Sequence, residues 1–163
     1  MGLPFLIAFA KRTNWTLAVT SNAELVHFWF EEVWYRDNNA VLGEMFSDET
    51  EATGPVSNLM GKQFIASDFV STMKALLGGA PEFTFRVFEE AGDWVITCFD
   101  VHVTNHPHRP PFDFDGQMIF KVENGQISAI HSSLNYIKLF EGLGQMPPET
   151  LPVCLSGAEL VWK

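Results

Sequence analysis

The sequence predicts an α+β fold: a curved antiparallel sheet wrapped around three N-terminal helices. Apolar residues recur at helical spacing through the first half of the chain, strict alternation takes over from residue 83, and the two regimes meet at Gly78-Gly79. With 163 residues, 47% of them hydrophobic and fifteen of them Phe, the chain has material for one core. A single domain over 21–146 is expected, between an N-terminal arm over 1–20 and a tail over 147–163.

The first helix is expected over 22–35. Ser21-Asn22-Ala23-Glu24 has the capping-box pattern, and Val26, Trp29, Phe30, Val33 and Trp34 keep one face. Asp37-Asn38-Asn39 breaks it and caps a short second helix over 40–45. A short strand over 49–53 follows, closed by Gly54-Pro55. Ile65, Phe69, Met73 and Leu76 then predict a third helix over 61–79, stopped by the left-handed conformation that Gly78-Gly79 permits.

Phe83, Phe85 and Val87 alternate with polar residues, Glu90-Ala91-Gly92-Asp93 turns the chain, and Val95, Thr97, Phe99, Val101 and Val103 alternate again. A second hairpin joins a strand over 112–122 to one over 126–136 through Asn124-Gly125, a strong turn signal. Residues 143–148 close the sheet region. The tail from Cys154 onward is expected to add an edge strand or to cover a pocket mouth.

The formal charge of −10 gives no electrostatic reason to expect nucleic acid or an anionic membrane, and points to a ligand that is not polyanionic. Cys98 and Cys154 form neither a disulfide framework nor a paired metal-ligand spacing; two buried thiols and a reducing, cytoplasmic compartment are expected. The apolar start of the chain lacks a basic leader segment and reads as a packed or frayed arm.

The densest chemistry lies in CFDVHVTNHPHRPP, residues 98–111. Burying the apolar face Val95, Thr97, Phe99, Val101 and Val103 contributes roughly 1.5–3 kcal/mol per large side chain, so that face is expected to point inward. Asp100 and His102 then face out, as on any half-exposed sheet, unless a bulge swaps the faces and makes them an acid–base pair inside. His102, His106 and His108 sit at a strand end among turn residues rather than at metal-ligand spacing, and neither metal nor cofactor is expected.

The phrases FEEVWYRDNNAVLGEMFSDE, GDWVI, IFKVENGQI and LFEGLGQMP, in this order and spacing, resemble the SnoaL-like branch of the nuclear-transport-factor-two superfamily. The resemblance, covering 22–146, implies a cone of curved sheet and helices around a pocket. In epoxide-hydrolase-like members the strand after the Gly-Asp turn carries Arg-x-Asp and the last strand Trp-x-Asp. Here those positions are Phe99 and Val101, and Ile130 and Ser132. A family histidine near the end of the first strand corresponds to Thr53, and Asn135 replaces a common aspartate.

The expected pocket is therefore apolar, lined by Phe30, Trp34, Phe69, Phe99, Val101, Met118 and Ile130, with Thr53, Thr97 and Ser132 supplying hydroxyls. The other aromatics, Trp29, Phe64, Phe83, Phe85, Phe112, Phe114 and Phe120, are expected in the core. The leading expectation is a domain that binds a small hydrophobic molecule without the family's usual acid–base residues. It is expected to form a homodimer through the outer sheet face, with His131 in the interface. The alternatives are a cyclase, isomerase or hydrolase using Asp100 and His102, or His131, and an assembly domain without a ligand.

Overall fold

The computed structural model describes residues 20–60 and 68–161, without the side chains of 58–60. The predicted arm, apart from Thr20, and the 61–67 part of the third helix, with Phe64 and Ile65, lie outside the described residues.

The α+β expectation holds. Helix α1 (Asn22–Trp29) starts at Ser21, whose side chain accepts from the Glu24 backbone N–H, and continues as a π-helical segment, Phe30–Tyr35. Leu25, Val26, Trp29, Phe30, Val33 and Trp34 are all buried, so one face runs unbroken through the change of winding. A 3₁₀ turn (Asn39–Val41) leads into α2 (Leu42–Met45).

Strand β1 (Phe46–Thr53) begins earlier than its short polar core suggested. It pairs in parallel with the last strand, with a register irregularity between Phe46 and Glu51. Pro55 does not simply end this strand: it opens α3 (Pro55–Met60), where a first-turn proline loses nothing by lacking an N–H. Helix α4 (Phe69–Leu77) ends as expected on Gly78, at φ 77°.

The remaining strands are β2 (Glu82–Ala91), β3 (Trp94–Val103), β4 (Phe112–Glu123) and β5 (Gln126–Leu134). They form a five-stranded sheet in the order β1-β5-β4-β3-β2, antiparallel except at β1–β5. Its inner face packs on the helices.

Two C-terminal expectations are corrected. The last strand stops at Leu134, because Asn135 caps a new helix, α5 (Tyr136–Gly142), its side chain accepting from the Lys138 N–H at 3.2 Å. The tail forms α6 (Thr150–Leu155) rather than an edge strand, tied to α5 by the Thr150 N–H donating to Glu141 Oε1 at 2.5 Å. The two thiols are free but not both buried: Cys98 is half-buried and Cys154 exposed. No described helix is long and apolar enough to cross a membrane.

Candidate functional site

Strand β3 settles the orientation of the 98–111 stretch. Val95, Thr97, Phe99, Val101 and Val103 are buried, while Asp100 and His102 are not. The sheet does contain a bulge here, but it lies on the neighbouring strand, between Phe85 and Val87, and leaves the phase of β3 unchanged. Asp100 and His102 therefore do not enter the cone, which removes them as an acid–base pair for a molecule bound there.

On the outer face they form a polar network. Asp100 Oδ1 lies 3.4 Å from an Arg86 guanidinium nitrogen. His102 contacts Thr84 Oγ1 through Nε2 at 3.0 Å and Asp113 Oδ1 through Nδ1 at 2.9 Å. His106 and His108 turn toward each other instead, and among the described residues no three potential metal ligands converge.

Inside, Phe30 sits at the centre of an aromatic cluster, edge-on to Trp29, Phe85 and Phe83 at 4.8, 4.9 and 5.3 Å between ring centroids. Beside this cluster lies a small cavity of about 10 Å³, roughly the volume that admits one water. Its helical wall is Trp34, Met73 and Leu77; Phe83, Phe99, Val101, Phe114, Met118 and Leu134 form the sheet wall, and Pro81 closes the set. Gly116 makes the sheet wall possible, because a Cβ there would stand 2.4 Å from Leu134 Cδ2 and 3.1 Å from Phe99 Cε2.

Of the expected pocket residues, Trp34, Phe99, Val101 and Met118 line this cavity. Phe30, Phe69 and Ile130 are buried in the core without reaching its wall. None of the three expected hydroxyls reaches it. Thr97 is fully buried and donates to the Met118 carbonyl at 2.8 Å, which satisfies the group within the sheet. Ser132 lies under Gly54, where a Cβ would meet its carbonyl at 2.1 Å. Thr53 is exposed and hydrogen-bonded to His131 Nδ1.

Phe83 and Phe114 reach the wall as register partners of Val101 from either side. Their alternation put both in the core, but only strand register sets them around one cavity. Met73 was legible on its helical face; Leu77, Pro81 and Leu134 carried no separate signal.

Burial pushes the Tyr136 phenol up to about 12. Burial also raises Tyr35, whose hydroxyl accepts from the Phe83 N–H at 3.2 Å.

The outer sheet face divides into two zones. Toward one end lie the charged rows Glu82-His102-Asp113 and Thr84-Asp100-Asp115. Toward the other, the row Glu89-Ile96-Ile119-His131 adjoins Trp94, and His131 stacks on the Trp94 ring at 5.8 Å with 27° between planes. Ile96, Ile119 and Trp94 are half-exposed there, with Val87 exposed alongside.

Residues 26–130 match the model of the SnoaL-like domain. The chain belongs to the SnoaL-like domain family. Solved structures share its fold over most of the chain. A candidate polyketide cyclase from Acidithiobacillus ferrooxidans is 14% identical with a TM-score of 0.61, covering 78% of this chain and 98% of its own. A second candidate polyketide cyclase, from Bacillus cereus, is 12% identical with a TM-score of 0.63, covering 74% and 78%. A candidate hydroxylase from Streptomyces galilaeus is 15% identical with a TM-score of 0.60, covering 84% and 92%. At identities this low the likeness shows a shared fold, which nuclear-transport-factor-two-like structures from Burkholderia also have. The sequence matches no curated protein. Within this SnoaL-like chain, Phe99, Val101, Ile130 and Ser132 are all buried, and none has a titratable side chain.

Proposed function

We propose that this SnoaL-like domain binds a small lipophilic molecule in the apolar cone between its helices and the concave face of the sheet, without conventional acid–base chemistry. One observation carries the reading: among the described residues lining the cavity, none has a titratable side chain. An apolar wall of aromatic and aliphatic groups is the usual lining of a site for a hydrophobic ligand. At about 10 Å³ the cavity must enlarge to admit one, and two of its walls, Met73 and Met118, are the unbranched side chains that repack at least cost. Relatedness to candidate polyketide cyclases supports a cyclic lipophile as the occupant.

The working unit is a homodimer joined at the Trp94, Ile96, Ile119 and His131 end of the outer face. Apolar side chains clustered on an otherwise polar sheet surface support it. The free thiols Cys98 and Cys154 support a cytoplasmic setting.

The small cavity favours a second reading, an assembly domain whose aromatics fill the cone. Calorimetric titration with the apolar bicycle tetralin, together with mass spectrometry of lipophiles extracted from the purified protein, separates the two. Saturable binding or a co-purified lipophile supports the first; neither signal would leave the assembly domain.

A further inference from the structure

Thr84, His102 and Asp113 form a chain of hydrogen bonds across three strands of the outer face. Thr84 Oγ1 lies 3.0 Å from His102 Nε2, and His102 Nδ1 lies 2.9 Å from Asp113 Oδ1. Strand register builds the chain. Asp113 is the β4 partner of His102, while Thr84, on the edge strand β2, is the partner of Asp100. Asp100 and His102 alternate with Val101 and so share the outer face, which sets the imidazole diagonally from the Thr84 hydroxyl and within its reach.

The order of these bonds fixes the proton. A carboxylate only accepts, so the neutral imidazole donates to Asp113 from Nδ1, and its Nε2 lone pair is left to accept from the Thr84 hydroxyl. A hydroxyl bonded to a ring nitrogen, with the far side of the ring held by a carboxylate, is the arrangement that activates an oxygen nucleophile. An Arg86 guanidinium nitrogen lies 3.4 Å from Asp100 Oδ1 and brings positive charge to the Thr84 row, the sign that a developing oxyanion requires. The chain is open to solvent: Thr84 is exposed, and the His102 side chain keeps 33% of its surface accessible. At about 3.3 Å per residue, His102 stands about 20 Å along β3 from Ile96, clear of the apolar end of the face.

We propose that this polar end of the outer face is a second site, which hydrolyses small carboxylic esters with Thr84 as nucleophile, His102 as base and then acid, and Asp113 positioning the imidazole. Thr84 Oγ1 bonds to the ester carbonyl carbon as His102 Nε2 takes the hydroxyl proton. The bond to the leaving alcohol then breaks, and that alcohol takes the proton from Nε2. Water repeats both steps on the acyl-threonine, releasing a carboxylic acid and restoring the hydroxyl. Glu82, Asp100 and Asp115 share this end of the face, so a neutral or cationic ester is favoured over an anionic one. The site is independent of what the cone binds.

The test uses p-nitrophenyl acetate, followed by absorbance, and diisopropyl fluorophosphate, which forms a phosphorus–oxygen bond to an activated hydroxyl with loss of fluoride. Wild type is expected to hydrolyse the ester above the buffer rate and to carry the phosphoryl label on Thr84 by mass spectrometry. Thr84→Val and His102→Gln, both folded by circular dichroism, are expected to lose the label and about a hundredfold in rate, the usual worth of a positioned base. Asp113→Asn is expected to lower kcat with KM unchanged, and His108→Gln to hydrolyse as wild type does. Hydrolysis that falls in His102→Gln but persists in Thr84→Val would show the imidazole attacking directly and overturn the threonine nucleophile. Hydrolysis no faster than buffer, or a label absent from Thr84, overturns the site.

Discussion

His102 Nδ1 lies 2.9 Å from Asp113 Oδ1, across the β3–β4 ladder and on the face turned away from the core. This pairing belongs to the solvated side of the sheet. Substituting His102→Gln or Asp100→Asn is therefore expected to change stability by no more than about 0.5 kcal/mol and to leave tetralin affinity at the wild-type value. Urea melts and calorimetry of the two variants check this. A large loss of affinity in either would return the pair to the site.

Lys74 holds the end of the π-helical segment, donating to the Val33 carbonyl at 2.7 Å and to Asp37 at 2.5 Å. Lys74→Met keeps the stem but strands the carbonyl, and is expected to cost about 1–3 kcal/mol in urea denaturation. Asp37→Asn removes only an exposed charge and is expected to cost less than about 1 kcal/mol. Equal effects would show that the carbonyl contact contributes nothing.

Gly116 faces the cone, where the nearest atoms to an added Cβ would be Leu134 Cδ2 at 2.4 Å and Phe99 Cε2 at 3.1 Å. Both of those side chains line the cavity. Gly116→Ala is expected to destabilise by about 1–3 kcal/mol through overpacking and to weaken tetralin binding as the displaced Leu134 encroaches on the space. A variant of wild-type stability would mean that Leu134 turns aside freely.

Burial raises the Tyr136 phenol to about 12 from an ordinary value of 10.0. The folded state then holds this proton after the unfolded state has released it. Its contribution to stability is complete below pH 10 and is lost as pH rises from there toward about 12. Tyrosinate absorbance should develop at higher pH in the native chain than in urea, and Tyr136→Phe should flatten the alkaline decline in stability. Coincident native and unfolded titrations would contradict the burial of this group.

Ile119 sits between Ile96 and His131 in one cross-strand row of the outer face. If two subunits meet there, Ile119→Asp places a carboxylate in the interface of each, and sedimentation should report a monomer with unchanged circular dichroism. A wild-type protein that already sediments as a monomer at tens of micromolar, on the order of the affinity expected of weak dimers, would remove the interface.

Local patterns made much of this architecture legible. The Ser21 cap, the Gly78 stop, the Asn124-Gly125 turn and the alternation of β3 each depend on steric or hydrogen-bond preferences within a few residues, and the structure realises all of them. The inward face of β3 followed from the free energy of burying Phe99 and Val101 instead of Asp100 and His102. The family likeness rested on such local phrases in order, which is why it survived.

Other features needed the chain to be folded. The parallel pairing of β1 with β5, the cap that Asn135 provides for α5 and the packing of α6 against α5 depend on partners far away in sequence or on competition between strand and helix. Thr97 looked like a pocket hydroxyl, but it donates to the Met118 carbonyl, and Thr53 hydrogen-bonds to His131. The same holds for the cavity itself. Alternation tells which face of a strand is inward, but the register that brings Phe83, Val101 and Phe114 side by side arises only when distant strands pair. Sequence spacing encodes periodicity; it does not encode the order in which distant segments satisfy each other's polar groups.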